Sequence, residues 1–409
     1  MPSKALLNSA KLYEHAIHSE KYGVTVTGAR LDHAKVVERK DKVVKMLVGG
    51  VGMKMKANKV TVVNGEAVIQ GKTAEGFAVK VGEEVLTGAR LLICSGSVPS
   101  LPPIPGSKEG LEAGYVMTNR EIPDMTTVPE NLCIIGGGVI GLEMASYFNT
   151  AGSKVTVVEM LDKIAGPTDS EISAFLLKEY QKKGVDFRLG AKVVGMEKGA
   201  VSYEKDGKTE KVPADAILMS IGRRANTKGL NLEALGVQMD RGVILVDEHG
   251  QTNVAGVWAA GDCTGRIMLA HTAYREAEVA VNNILGKRDV MRFNAVPSVI
   301  YTNPEVASVG MTEEQAKAAG VDYVCKKLSM RYSGRFVTEN EGGDGLCKIL
   351  VDKKYNKVIG IHMIGNSSSE IIWGAAALIE TELRVEDIKE LIFPHPTVSE
   401  IIRETIFEF

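Results

Sequence analysis

The sequence is short of the features that make a disulfide scaffold, a membrane protein or a polyanion binder. It has five cysteines, Cys94, Cys133, Cys263, Cys325 and Cys347. Their number is odd, their spacings are wide, and no C-x-x-C or closer pair occurs. A disulfide framework is excluded and a reducing compartment is expected, either a bacterial cytoplasm or an organelle matrix. No apolar run approaches the roughly 20 residues that span a bilayer. The formal charge is −2, from 49 Lys and Arg against 51 Asp and Glu. No global basic field is present to attract nucleic acid or anionic lipid. The opening Met1-Pro2-Ser3-Lys4 is no signal peptide, and neither a solenoid repeat nor a low-complexity tract is visible. No metal site is expected.

What is present is ordinary folded-protein composition, 44% hydrophobic and 24% charged over 409 residues, enough for two or three domains. Leu6, Leu7, Leu12, Ala16 and Ile17 recur at helical spacing, which predicts a helix over residues 3–22. A second helix is expected over Ala34–Leu47, stopped by Gly49 and Gly50. Short strands are expected at Lys59–Val63, Glu66–Gln70, Phe77–Val81 and Leu91–Cys94, followed by a proline-rich connection through Pro99, Pro102, Pro103 and Pro105. From residue 131 strands and helices alternate: strand Leu132–Ile135, helix Val139–Thr150, strand Lys154–Glu159, helix Ser170–Lys183. That order predicts a parallel sheet with crossover helices. Further strands are expected at Ala216–Ile221, Val257–Ala260, Leu346–Val351 and Val358–Ile364, with helices over Thr312–Ala319 and Glu370–Thr381.

One motif carries chemistry without further help. Gly136-Gly137-Gly138-Val139-Ile140-Gly141 is a G-x-G-x-x-G between a strand and a helix, and the next strand ends in Glu159, 18 residues after Gly141. A glycine-rich turn alone would be weak; this context makes it a dinucleotide site. Gly136 allows the tight turn, Gly138 lets backbone approach a pyrophosphate, and Gly141 lets helix and strand pack closely. The helix N-terminus offers amide donors to the phosphates. Glu159 can accept from both hydroxyls of an adenosine ribose and would repel a 2′-phosphate, so NAD is expected rather than NADP.

Other segments carry a resemblance. Asn-Val-Ala-Gly-Val-Trp-Ala-Ala-Gly-Asp at 253–262 resembles the second flavin motif of the FAD-dependent pyridine nucleotide disulfide reductases. Met268-Leu269-Ala270-His271 and Leu92-Ile93-Cys94-Ser95-Gly96-Ser97 resemble two more flavin-side turns of that family. Pro2-Ser3-Lys4-Ala5-Leu6-Leu7 is similar to the helix after its redox disulfide. Ser220-Ile221-Gly222-Arg223-Arg224 is similar to the segment closing its nicotinamide site. Pro297–Gly310 is similar to the start of its interface domain, and Pro394-His395-Pro396-Thr397-Val398-Ser399-Glu400 to its C-terminal active-site motif. Within the family the dihydrolipoyl dehydrogenases fit best, and the likeness covers essentially the whole chain. Mercuric and glutathione reductases remain rivals on the same scaffold, as does a non-enzymatic, NAD-binding dimerising remnant.

The resemblance implies an α/β fold: two Rossmann-like nucleotide-binding domains, the first N-terminally truncated, and a C-terminal α+β dimer-interface domain. The expected divisions are 1–127 and 248–294 for FAD, 128–247 for NAD and 295–409 for the interface of a homodimer. The implied activity oxidises protein-bound dihydrolipoamide and passes electrons through a disulfide and FAD to NAD. The implied partner is the lipoyl domain or lipoyl carrier protein of a 2-oxo acid dehydrogenase complex or glycine cleavage system. Asp262 would bind the ribityl chain, with Gly96, Ala270 and Gly222 lining cofactor. Lys4 and Glu143, the latter placed in the first turn of the dinucleotide helix, would pair where hydride passes between flavin and nicotinamide. His395 would be the acid/base, serving the partner subunit's site. Residue types agree: Pro396 can open a helix, and Glu400 can fold back to orient the imidazole for taking a thiol proton. Phe393 departs from the family, which carries another histidine there.

The resemblance also points to parts that these residues do not contain. The C-x-x-x-x-C pair would fall just before Met1, and the FAD phosphate turn further upstream. Cys94, Cys133 and Cys347 are expected to be inert on apolar strands. Loss of a βα unit of roughly 30 residues or more would leave unpaired strand edges. The chain as written is therefore expected to bind FAD poorly, to leave dihydrolipoamide unoxidised, and to keep its NAD domain intact.

Overall fold

The computed structural model describes all 409 residues. Its contacts divide the chain into two compact units, one of Met1–Met46, Leu101–Ile221 and Asn294–Phe409, the other of Leu47–Ser100 and Gly222–Phe293.

The first unit contains the expected parallel sheet. Its strand order is Val116–Met117, Ala216–Met219, Asn131–Ile135, Lys154–Val158 and Asp186–Arg188, all parallel. The strands are short and apolar on both faces, as parallel strands covered on both sides must be. Cys133, Ile134, Val157 and Ile217 are wholly buried. The crossover helices run Val139–Thr150 and Ser170–Lys182. Asp169 caps the second, accepting from the Glu171 and Ile172 amides. The first helix, Pro2–Ile17, lays Leu6 and Ala10 into the same core as Leu142, Tyr147 and Phe148. Full burial of Leu6 contributes about 2 kcal/mol. The predicted helix to residue 22 breaks at His18, and Ser19–Tyr22 tightens into a 3-10 turn closed by Gly23 at φ 75°.

The C-terminal part of this unit is a five-stranded antiparallel sheet ordered Ser298–Ile300, Val306–Gly310, Val358–Ile364, Leu346–Asp352 and Tyr323–Ser329. The helices Ser368–Glu380 and Glu400–Ile406 pack their apolar sides on it through Ile372, Ala375, Ile401 and Ile402. Lys348, on a central strand, is only 2% exposed. Its ammonium meets Glu313 at 2.5 Å, Asp169 at 2.9 Å and Glu171 at 3.3 Å.

The second unit is built from smaller pieces. Ala67–Thr73, Gly76–Val81 and Glu84–Gly88 form an antiparallel sheet. Leu91–Ile93 pairs in parallel with Val257–Ala259, and Ser97–Pro99 pairs with Arg223–Ala225.

Two expectations fail here. The second helix runs His33–Ala57, straight through Gly49, Gly50 and Gly52. None of those glycines takes the positive φ that ends a helix, so each is only a weak helix former, costing about 1 kcal/mol against alanine. Lys59–Val63 is not a strand: it has no ladder partner, and Val60 and Val62 are exposed.

Candidate nucleotide and redox site

The three motif glycines meet three different demands. Gly136 has φ 99°, and a Cβ there would lie 2.7 Å from the Ser220 carbonyl oxygen. A Cβ on Gly141 would lie 2.3 Å from the Gly136 carbonyl oxygen. Gly138 is different. Its φ of −80° suits any residue, and its nearest neighbour would be 3.9 Å away. The fold leaves that position open, on the side where a bound phosphate would lie. The Val139–Thr150 helix has no side-chain cap, so its first amides are left for an anion. Glu159 accepts from the Gly137 amide at 2.6 Å and the Leu161 amide at 2.8 Å, which fixes its carboxylate at the strand end. These residues fit NAD.

Glu143 is the fifth residue of that helix and so lies in its second turn, not its first as the sequence implied; the helix opens at Val139, three residues after the first motif glycine. The side chain is 4% exposed. The Lys4 ammonium sits 2.8 Å from both of its oxygens. Tyr301 closes the group: its amide donates to Glu143 Oε1 at 3.2 Å, and its ring centroid lies 4.5 Å from Lys4 Nζ. Sequence reasoning missed Tyr301, although it sits inside the quoted Pro297–Gly310 segment.

In the second unit Asp262 follows the Val257–Ala259 strand. Ser97 Oγ donates to Asp262 Oδ2 at 2.5 Å, while Arg223 Nε donates to Ser97 Oγ at 2.7 Å and Arg223 Nη2 to the Ser97 carbonyl at 2.8 Å. Ser97 and Arg223 were not singled out from the sequence; their place beside Gly96 and Gly222 in the two quoted turns was the available signal. Gly96 and Gly222, with φ of 71° and 111°, make those turns. Ala270 opens the uncapped Ala270–Ile284 helix. Glu276 holds the turn before Asp262 by accepting from the Gly261 amide at 2.6 Å, and its burial pushes its carboxyl above the ordinary range. For FAD the fit is partial. Asp262, Gly96 and Ala270 are the residues that would face a ribityl chain, but the adjoining parallel pair has two strands, and the chain's G-x-G-x-x-G is the one already placed at Gly136–Gly141.

His395 Nδ1 lies 2.8 Å from Glu400 Oε1. The Thr397 amide donates to Glu400 Oε2 at 2.8 Å. These bonds, the amide first, hold the Glu400 carboxyl below its ordinary range. The expected helix start at Pro396 is corrected to Glu400. Residues 394–399 instead form a turn in which Thr397 Oγ1 donates to the Pro394 carbonyl, and the Glu400 carboxylate satisfies the Thr397 amide that a helix would otherwise use. With Nδ1–H directed at Glu400, Nε2 is the free acceptor. The imidazole is 79% exposed and its carboxylate partner 16%.

All five cysteines are free. Cys133 and Cys347 are buried, and burial pushes each thiol up to about 12. Cys94 is corrected from core to exposed: the Leu91–Ile93 strand ends one residue before it, leaving it in the turn. Even so, partial desolvation pushes its thiol to about 11.

No helix is long and apolar enough to cross a membrane. Residues 1–277 match the family model of pyridine nucleotide-disulphide oxidoreductases, and residues 296–406 that of their dimerisation domain. The chain is 38% identical over 411 residues to a dihydrolipoyl dehydrogenase of Cupriavidus necator, covering 99% of this chain and 86% of that one. It is 38% identical over 417 residues to a mitochondrial dihydrolipoyl dehydrogenase of Sus scrofa, covering 99% and 81%. A solved HOCl-induced flavoprotein disulfide reductase from Escherichia coli superposes with a TM-score of 0.85 at 25% identity, covering 99% of this chain and 89% of that one. With both family models spanning nearly its whole length, the chain belongs to the pyridine nucleotide-disulphide oxidoreductase family.

Proposed function

We propose that this chain carries the NAD-side and proton-handling machinery of a dihydrolipoyl dehydrogenase. In the full reaction dihydrolipoamide loses two electrons and two protons to become lipoamide, and NAD gains a hydride. One observation carries the reading most: Glu143, on the helix opened by the NAD glycines, holds the Lys4 ammonium with both oxygens. This puts a fixed charge pair beside the dinucleotide turn, where it can orient the nicotinamide end. Gly136, Gly138, Gly141 and Glu159 hold the adenosine and phosphate end. His395, anchored from behind by Glu400, accepts a thiol proton at Nε2, and in a homodimer it serves the partner subunit's site. FAD, when bound, supplies the two-electron relay between thiols and nicotinamide; Asp262, Gly96, Ala270 and Gly222 line its ribityl side. The domain divisions 1–127 with 248–294, 128–247 and 295–409 follow from the same reading, as do the lipoyl domain or lipoyl carrier as partner and a bacterial cytoplasm or organelle matrix as the place.

None of the five cysteines forms a redox pair in these 409 residues. The 409 residues alone are expected to bind NAD. Two measurements test the reading. Fluorescence titration of the 409 residues is expected to give a clear preference for NADH over NADPH, with no bound-flavin band in the visible spectrum after FAD is added and removed. Fusion to an N-terminal segment carrying G-x-G-x-x-G and C-x-x-x-x-C is expected to give dihydrolipoamide-dependent NADH formation that His395→Gln abolishes. Reduction of glutathione disulfide or mercuric ion in its place would assign a different reductase.

A further inference from the structure

Tyr301 lies one residue past the Ser298–Ile300 strand, inside the segment matched to the dimerisation domain. It nevertheless touches both members of the Lys4–Glu143 pair. Its backbone amide donates to Glu143 Oε1, and the face of its ring lies under the Lys4 ammonium. A lysine head on a four-carbon stem has three rotatable donors and no fixed orientation. Glu143 alone, gripping at 2.8 Å through both oxygens, sets the distance of the Lys4 head but leaves the stem, 36% exposed, free to swing about that grip. The ring adds a second electrostatic contact from a different direction, one that acts on the charged ammonium and depends on the ring's negative face.

We propose that Tyr301 is a positioning residue for the Lys4–Glu143 pair: the amide fixes the carboxylate and the ring fixes the ammonium, so that an interface-domain residue sets the direction of the charge presented to nicotinamide. The inference rests on the reading of that pair given above. The contacts use the ring face and the backbone, so the hydroxyl is dispensable. Burial, then the Glu143 charge, pushes the phenol above its ordinary range, which keeps the ring neutral. A cavity of about 280 Å³, lined by Lys4, Tyr301, Ser146, Thr150, Glu305 and Glu370, gives a small reagent access to the ammonium.

The test is pulse acetylation of the 409-residue chain with a succinimidyl ester, read lysine by lysine in a mass spectrometer. Lys35, whose side chain is 80% exposed, serves as the internal reference. Tyr301→Phe is expected to leave the Lys4 rate within about twofold of wild type, because the ring is kept. Tyr301→Leu is expected to raise it about three- to fivefold relative to Lys35, the worth of one cation–π contact. Replacing Tyr301 with 3,4,5-trifluorophenylalanine keeps the size and weakens the ring's negative face; it is expected to give an intermediate rate, and it decides the matter if the leucine variant unfolds. An unchanged Lys4 rate in both ring-altering variants overturns the proposal. So does a rise in the phenylalanine variant equal to that in the trifluoro variant. NADH affinity is read in parallel: its absence in wild type would sink the nucleotide reading, while the labelling series would still decide whether Tyr301 holds Lys4.

Discussion

Lys4 and Glu143 are 139 residues apart in sequence and meet with both carboxylate oxygens 2.8 Å from the ammonium. The pair is unequal: the carboxylate side chain is 4% exposed and the lysine 36%. Losing the lysine strands a buried anion, whereas losing the anion leaves a cation that can turn to solvent. Lys4→Met is therefore expected to destabilise the chain by about 2–3 kcal/mol and Glu143→Gln by about 1 kcal/mol. Urea denaturation of the two variants checks the order; equal losses would mean that the pair is solvated.

The motif glycines separate folding from binding. Gly141→Ala is expected to cost about 1–3 kcal/mol of stability, because its Cβ meets backbone at 2.3 Å. Gly138→Ala is expected to melt like wild type, since nothing lies within 3.9 Å, and yet to lose most NADH binding. Calorimetry with NADH titration distinguishes them. A Gly138→Ala chain with unchanged affinity would remove the pyrophosphate from that position.

Glu159 braces the Gly137 and Leu161 amides with its two oxygens, and on the proposed reading the same carboxylate also faces the adenosine ribose. Charge-assisted hydrogen bonds of this kind contribute about 1.5–3 kcal/mol. Glu159→Ala is expected to weaken NADH about tenfold or more and to narrow the gap to NADPH, as measured by fluorescence titration.

Lys348 lies within ion-pair distance of three carboxylates while 2% exposed. Asp169, one of the three, is fully buried and also caps the Ser170–Lys182 helix. Lys348→Met should cost about 3–5 kcal/mol, and adding Asp169→Asn should recover part of that loss. Non-additivity in the double-mutant cycle is the measurement.

His33 is buried, with Nδ1 2.7 Å from the Tyr147 hydroxyl and Nε2 2.9 Å from the Met125 carbonyl. Burial, partly opposed by the carbonyl, lowers its affinity for a proton below the ordinary value near 6.5. The unfolded chain then binds the proton better than the folded one. Stability from this group is full above about pH 6.5 and falls as pH drops below that value. Denaturation midpoints between pH 7.5 and 5 should show the loss, and His33→Gln should flatten it.

The site was legible where one residue type does one job. Gly136 and Gly141 follow from spacing because the turn and the close packing each admit few side chains. The Lys4–Glu143 pair came from family likeness, since partners 139 residues apart leave no local periodicity, whereas the His395–Glu400 pairing, across five residues, was readable from Pro396 and the local spacing, and likeness gave only its role. Tyr301, Ser97 and Arg223 escaped notice because a ring face, a hydroxyl and a guanidinium carry no spacing signal of their own; Ser97 and Arg223 meet only because their strands pair. The helix through Gly49 and Gly50 was misread for a related reason: glycine permits a stop but does not impose one, and its φ is set by the chain around it.

The imidazole of His395 is braced from behind and bare in front. On the proposed reading, the surface that completes it belongs to a second molecule. Its chemistry then depends on mass action as much as on geometry. In the N-terminally extended, flavin-loaded fusion, activity per chain should fall on dilution as the dimer comes apart, with every bond inside the subunit intact, so that concentration alone would switch the proton transfer on and off.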